Sequence, residues 1–350
     1  MNKQSFGRAA LAMLLGSVIF LVMGAGAATA AKTITLKAHT FIGMKAPTVA
    51  VLMGPWAKKV EKESKGQLKI NIYPSMQLGG KPPQLIDQVL DGVVDIVWTL
   101  PGYTAGRFVE SEVFELPFVH SNTVATNMAL QDFADKHPND FKGLKVILLH
   151  VHAGAAFHSY DPIRKVSDVK GMKIRTPSRT GGWLLEAMGA VPIGAPVPKV
   201  PELLSKRVVD AVMLPYEITL VLKTHEMVDN HMTLDDPMYN RPNTSRFLFA
   251  MNQKKYDSLP ANLRKVIDNN SGRHIAKDIG LGWMGAENKG EDAAKASGKL
   301  HKMAPSEVAI LKGKVAQEVY DRWSAEVKKK GIDGPALIKE AKALVAKYTN

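Results

Sequence analysis

The chain has 350 residues, enough for two domains that each bury a core, and its apolar share of 45% is that of a globular protein rather than a disordered one. A formal charge of +13 is spread without a polybasic block or a basic stripe interleaved with aromatics, which argues against nucleic acid and leaves small anions as natural partners. The absence of cysteine excludes a lipid-anchored export motif, structural disulfides and thiolate metal sites together.

The N-terminus reads as an export leader. Lys3 and Arg8 give a positive region, Ala9 to Met23 an uncharged apolar core, and Ala28-Thr29-Ala30 a small-residue cleavage site. The apolar run is short for the ~20 residues that a membrane span needs. Residues 1–30 are therefore expected to be removed, which lowers the charge from +13 to +11. An exported soluble chain results, placed in the periplasm of a Gram-negative cell.

The mature chain opens on an alternating run, Thr33 to His39, that reads as a strand. Val49 to Lys62 has Val49, Leu52, Met53, Trp56 and Val60 at helical spacing, and Gly66 stops it. Leu68 to Tyr73 is a second strand, Pro82 to Leu90 a helix with proline at its start, and Val93 to Thr99 a third strand. This alternation is the opening of a doubly wound α/β domain. The loop Leu100 to Thr104 then follows a strand's C-terminal end, where ligands of open sheets bind.

Lys145 to Val151 is a further strand. Met172 to Thr176 is too short for a helix and is stopped by Pro177, so it delivers Arg175 to a strand tip. Ser178 is placed to cap a helix closed by Gly189, and a second apolar run, Val208 to Leu214, ends at Pro215. Leu248 to Met251 returns to an apolar layer. From Leu263 the chain is helical and charge-rich, with helices expected over Leu263–His274, Ala276–Lys289, Ser306–Lys330 and Pro335–Tyr348. No Gly/Ser linker separates the halves, which suggests strands that cross between lobes and a shared hinge.

Catalytic motifs are near misses. His225-Glu226 begins a zinc-helix motif, but Asp229 stands where its second histidine belongs. Gly79-Gly80-Lys81 lacks the rest of a phosphate loop, and Gly154 and Ser159 do not make a nucleophile elbow. His150, His152 and His158 could form a metal site, but histidines at a strand end are more often hydrogen-bonded structural groups. Glu110, Glu112 and Glu115 read as a solvated loop. Arg175 has two readings from pattern alone: an arginine paired with a nearby acid, or a planar fork that meets a ligand carboxylate. In the second, Trp98, Tyr103 and Trp183 are candidate walls for an apolar ligand body, with core packing the more natural reading of Trp183.

The order of the blocks DIVWTLPGYTAGRF, VFELPFV, GMKIRTPS, MGAVPI and VVDAVMLP resembles the solute-binding proteins of TRAP (tripartite ATP-independent periplasmic) transporters, the DctP type, over essentially the whole mature chain. That resemblance implies a two-domain periplasmic binding protein fold of α/β class, with a central cleft, crossing strands and a long interdomain helix. Residues 31–150 with 241–280 are expected to form the first domain, and 151–240 with 281–350 the second. The resemblance implies no enzyme and no cofactor. It implies capture of an organic acid by hinge closure and delivery to a small and a large membrane permease subunit, by a monomer or a homodimer. Arg175 matches the arginine that forks onto the ligand carboxylate, Ser178 and Leu214 match positions that line the site, and Trp98 and Thr99 match the covering loop that Tyr103 extends.

Two departures matter. A second arginine common in the family is replaced near Ala155, and a frequent polar residue is replaced by Leu214. A buried dianion held by one fork leaves a carboxylate unsatisfied, which favours a monocarboxylate with an apolar or aromatic body over a C4-dicarboxylate. Arg179, His152, His158 and Arg246 are the residues that could supply a second contact. An ABC-type or sensory binding protein, and a periplasmic hydrolase or metal protein, are the rival classes.

Overall fold

The computed structural model of the protein describes residues 33–349, and the leader expected over 1–30 lies outside them. The described chain builds two sheets. In the first, β1 (Ile34–Thr40) lies between β2 (Leu68–Tyr73) and β3 (Ile96–Thr99), all three parallel. Leu36 and Ala38 of β1 are buried while Lys37 faces outward, the alternation that the sequence shows. The sheet is completed by β4 (Leu144–Val151), which reaches β3 only through β10 (Arg246–Asn252), antiparallel to both. A late strand thus closes a sheet begun at the N-terminus.

The second sheet has the order β11-β9-β5-β8-β6-β7. Its strands are β5 (Ala156–Ser159), β6 (Lys173–Thr176), β7 (Val191–Gly194), β8 (Ala211–Leu214), β9 (Asn230–Leu234) and β11 (Leu300–Met303). β6 runs parallel to β7 and β8, and the register sets Arg175 opposite Val212 and Ile193. All four residues of β8 are buried, as in a central strand covered on both faces. β5, β7, β9 and β11 were not expected. Each has four or five residues, and His158, Pro192 and His231 break any apolar pattern.

The chain crosses between the sheets twice in loops, from β4 to β5 and from β9 to β10. These two crossings meet in a single antiparallel bridge, Ala155 with Asn243. Gly154 sits in the first crossing at φ +106°, and a Cβ there would collide with the Arg241 side chain of the second. The third connection is the helix Arg273–Ala296. One part of it packs on the first-lobe helix Thr123–Lys136, where Thr123 Oγ1 donates to the Gly280 carbonyl at 2.8 Å. Further along, Gly290 lets it approach the backbone of Tyr216 so closely that any side chain would clash. The sequence divided this helix from the one before it near residue 275. The break lies at Gly272, whose positive φ ends the helix Ala261–Asn269 region and starts the long helix.

The last helix, Gly334–Thr349, packs on the first lobe rather than on the second. Asp132 of Thr123–Lys136 accepts from Lys347 Nζ at 2.8 Å and from the Tyr348 hydroxyl at 2.7 Å, and these partners with Arg273 hold its carboxyl down at about 2. No described helix is long and apolar enough to cross a membrane.

Candidate ligand-binding cleft

Arg175 is delivered by a local logic. Ile174 anchors β6 in the core, Pro177 stops the strand, and Ser178 starts the next helix, Arg179–Ala187, by accepting from the Gly181 N–H at 3.3 Å. The Arg175 side chain is 1% exposed. Its Nε donates to the Ala195 carbonyl at 2.9 Å and its Nη1 to the Met213 carbonyl at 3.1 Å. Nη2 is buried with no partner among the described residues.

The other fully buried arginines each meet a carboxylate. Arg241 pairs with Glu291 at 2.9 Å and Glu287 at 3.4 Å, and Arg246 with Glu115 at 3.3 Å. Arg175 has backbone carbonyls but no carboxylate among the described residues. A buried cation without a counter-ion is costly, so its environment is built to receive an anion.

That anion would enter a cavity of about 60 Å³. The first lobe contributes Phe41, Trp98 and Tyr103, and the second Arg175, Met213 and Leu214. His152 and Ser245 reach it from the crossings, Phe247 from the start of β10, and Glu217 and Trp283 from the side of the long helix. The walls are largely apolar. Trp98 stacks on Phe247 with ring centroids 4.5 Å apart and leans on Phe41 at 5.3 Å. Its indole N–H is already used, donating to His150 Nε2 at 2.8 Å. Tyr103 spans the lobes: its hydroxyl accepts from the Val197 N–H at 2.8 Å and lies beside Arg175. Burial pushes this phenol up, and the guanidinium partly offsets the effect.

Trp98, Tyr103, His152, Arg175 and Leu214 are thus brought to one cavity, whereas Thr99, Ser178 and Arg179 are not. Thr99 is buried at the end of β3, opposite Leu248. Ser178 is spent on its helix cap. Arg179 turns away to a two-pronged pair with Glu112, Nε to Oε1 at 2.8 Å, and Glu112 also accepts from Trp323 Nε1 at 3.0 Å. Glu112 and Glu115 are therefore buried partners of arginines and not a solvated loop. Trp183 stands half-buried outside the cavity, between the guanidinium groups of Arg179 and Arg322.

His150, His152 and His158 are hydrogen-bonded structural groups whose burial disfavours the charged form. His152 takes the Ser245 N–H on Nε2 at 3.1 Å, and burial followed by the charges of His120 and His150 holds it well below its ordinary value. His158 and His231 face each other Nδ1 to Nδ1 at 2.8 Å, which requires one donor and one acceptor. Burial drops His150 to about 3 and His231 to about 4. No cluster of three or more residues suited to hold a metal ion occurs among the described residues.

Among the lining residues with no counterpart in the sequence reading are Phe41, Phe247, Trp283 and Glu217. Phe247 has a readable signal, since it lies beside Leu248 in an apolar strand that had to alternate faces. Trp283 and Glu217 have none, because their placement depends on where the long helix docks.

Residues 43–324 match the family of bacterial extracellular solute-binding proteins, family 7, DctP. A solute-binding protein of a TRAP transporter from an unidentified marine microbe, solved with 3-hydroxybenzoate and described as specific for aromatic acid ligands, is 42% identical with a TM-score of 0.88 over 91% of this chain and 100% of that one. One from Rhodoferax ferrireducens, solved with copurified benzoate, is 39% identical with a TM-score of 0.87 over 91% and 99%. The outer membrane transporter protein TsaT of Comamonas testosteroni is 26% identical over 88% of this chain and 90% of its own length.

Two lobes joined by crossing strands around a closed cleft define a bacterial extracellular solute-binding protein. The chain belongs to the DctP family, as a TRAP transporter solute-binding protein. Proteins of this kind take up small organic acids and work with membrane permeases.

Proposed function

We propose that the chain captures a small aromatic monocarboxylate, with benzoate-like acids as the class, and hands it to the permease subunits after export and removal of a leader near Ala30. The observation that carries this reading is the buried Nη2 of Arg175, an unpaired donor at an apolar, aromatic-walled cavity. The guanidinium orients the carboxylate by charge-assisted hydrogen bonds, and Tyr103 stands beside it. The ring packs between Trp98, Phe247 and Leu214.

A second carboxylate lacks a cationic partner in this cavity. Arg179 and Arg246 are committed to Glu112 and Glu115, His158 to His231, and His152 is held neutral. The cavity also limits size. A benzene ring in an apolar interior occupies a cavity of about 150 Å³, so at about 60 Å³ a single ring already asks the lobes to part slightly. Ligand binding then selects the closed arrangement by its differential contacts with the two lobes.

Calorimetric titration tests the reading. Benzoate and 3-hydroxybenzoate are expected to bind, and succinate and malate are expected not to. Binding of the dicarboxylates alone would overturn it.

A further inference from the structure

Glu217 is the one acidic residue on the cavity wall among the described residues, and an acid is an odd lining for an anion site. It begins the helix Tyr216–Leu222 directly after β8 and is 7% exposed. Its backbone N–H donates to Glu287 Oε2 at 2.9 Å, and its Oε1 accepts from Trp283 Nε1 at 3.3 Å. Its Oε2 is buried and receives no donor among the described residues. The surrounding charges explain how an acid is tolerated here. Glu287 is paired to Arg241, which also holds Glu291, so the local cation is already shared by two carboxylates. Burial, then the charge of Glu287 and a side-chain hydrogen bond to it, push Glu217 well above the ordinary carboxyl range. That direction favours the neutral form, whose proton is shared with Glu287, so that the group need not repel an anionic ligand and its buried Oε2 can accept from an uncharged donor.

Resting on the aromatic-acid reading above, we infer that Glu217 reads a hydroxyl on the ligand's ring, making the preferred ligand a hydroxylated aromatic acid rather than an unsubstituted one. Arg175 and Glu217 divide the work. Arg175, anchored to Ala195 and Met213, takes the carboxylate. Glu217, anchored to Trp283 of the long helix, offers its unclaimed oxygen to a hydroxyl. Trp98, Phe247, Leu214 and Ile218 make the apolar part of the wall, Thr48, Tyr103, His152 and Ser245 its other uncharged polar side chains, and an unsubstituted ring leaves the buried Glu217 oxygen dry. A second carboxylate finds no cation at the same place, since Glu217 is the ionisable side chain there and Arg241 behind it is shared by Glu287 and Glu291.

The test compares benzoate, 3-hydroxybenzoate and 3-fluorobenzoate on the wild type and on Glu217→Leu and Glu217→Gln. The fluoro acid matches the hydroxyl in size and cannot donate. In the wild type, 3-hydroxybenzoate is expected to bind about tenfold more tightly than either other acid, the scale of one well-made hydrogen bond. In E217L the three acids are expected to bind alike, while E217Q retains part of the preference because its amide still donates and accepts. The wild-type comparison alone decides if E217L does not fold. Equal affinity of the wild type for all three acids, or a preference that survives in E217L, overturns the role of Glu217 and leaves the aromatic-acid reading standing. Failure of all three to bind the wild type overturns that reading, and this inference with it.

Discussion

The Tyr103 hydroxyl, carried by the first lobe, accepts a hydrogen bond from the backbone N–H of Val197 in the second lobe at 2.8 Å. The same residue borders the cavity and neighbours Arg175. One phenol thus couples the contact between the lobes to the charge proposed to hold the ligand. Tyr103→Phe keeps the ring and removes only this link. Its expected effect is a five- to tenfold weaker dissociation constant, ~1–1.4 kcal/mol, expressed mainly as faster release. Stopped-flow displacement of a bound aromatic acid checks it, and an unchanged off-rate would remove Tyr103 from the closure.

Arg175 sets function against stability. Its charge is buried without a carboxylate among the described residues, so removing it relieves a desolvation cost. Arg175→Met is expected to melt, without ligand, at or above the wild-type temperature, and to lose more than tenfold in affinity. Arg175→Lys keeps the charge but not the fork, and should recover only part of the binding. A ligand-free R175M protein that melts far below the wild type would mean that the side chain is structural.

How much of this was legible in the sequence follows from the range of each signal. The strand that carries Arg175, its stop at Pro177 and the Ser178 cap are read from neighbours in the chain, and the structure reproduces them. Such signals set Arg175 at the strand tip but left Arg179, at the start of the next helix, open as a second contact. The two arginines sit four residues apart with identical chemistry, and what separates them is Glu112, distant in the chain and close in space. Leu214 was legible as the end of an apolar run before a proline. The short strands β5 and β9 were not, because His158 and His231 are buried only by virtue of each other. Glu217 closed the segment richest in signals and still carried no hint of its role, since the Trp283 that holds it arrives from the long helix.

The Arg179–Glu112 pair makes a prediction of its own. It joins the helix after β6 to the segment Ser111–Glu115 of the first lobe, with Trp323 closing over Glu112. Arg179→Ala leaves a buried carboxylate in the closed form that can hydrate when the lobes part. Ligand affinity is expected to fall threefold or more although Arg179 lies outside the cavity, and Glu112→Gln in the same background should restore part of it. Titration of the single and double variants measures this, and strictly additive losses would deny the coupling.

The buried histidines predict how the protein responds to acid. Burial holds His120 and His150 near 3 and His231 near 4, and holds His152 and His158 well below their ordinary 6.5. In the unfolded chain these groups titrate at about 6.5. Above that pH they are neutral in both states, and their contribution to stability is complete. As pH falls below it the unfolded chain takes up protons that the native state refuses, so stability declines until the folded values near 4 and 3 are reached. Glu115, Glu217 and Glu287 act in the opposite sense. Burial raises all three above 4.5, so the native state holds their protons where the unfolded chain has lost them, and their cost shrinks as pH falls toward 4.5. The five histidines, joined by His39 and His301, which burial also lowers, outweigh the three carboxyls between pH 6.5 and 4.5, at about 1.4 kcal/mol per pH unit for each net proton. Melting temperature is therefore expected to be flat or slightly falling from pH 7 to 8 and to drop steadily below 6.5. Glu217→Gln should raise the melting temperature most at pH 8, where keeping the native carboxyl protonated is hardest, and least near pH 5. A thermal melt series from pH 5 to 8 on both proteins checks the two slopes, and a gain from E217Q that grows toward acid pH would refute the neutral carboxyl.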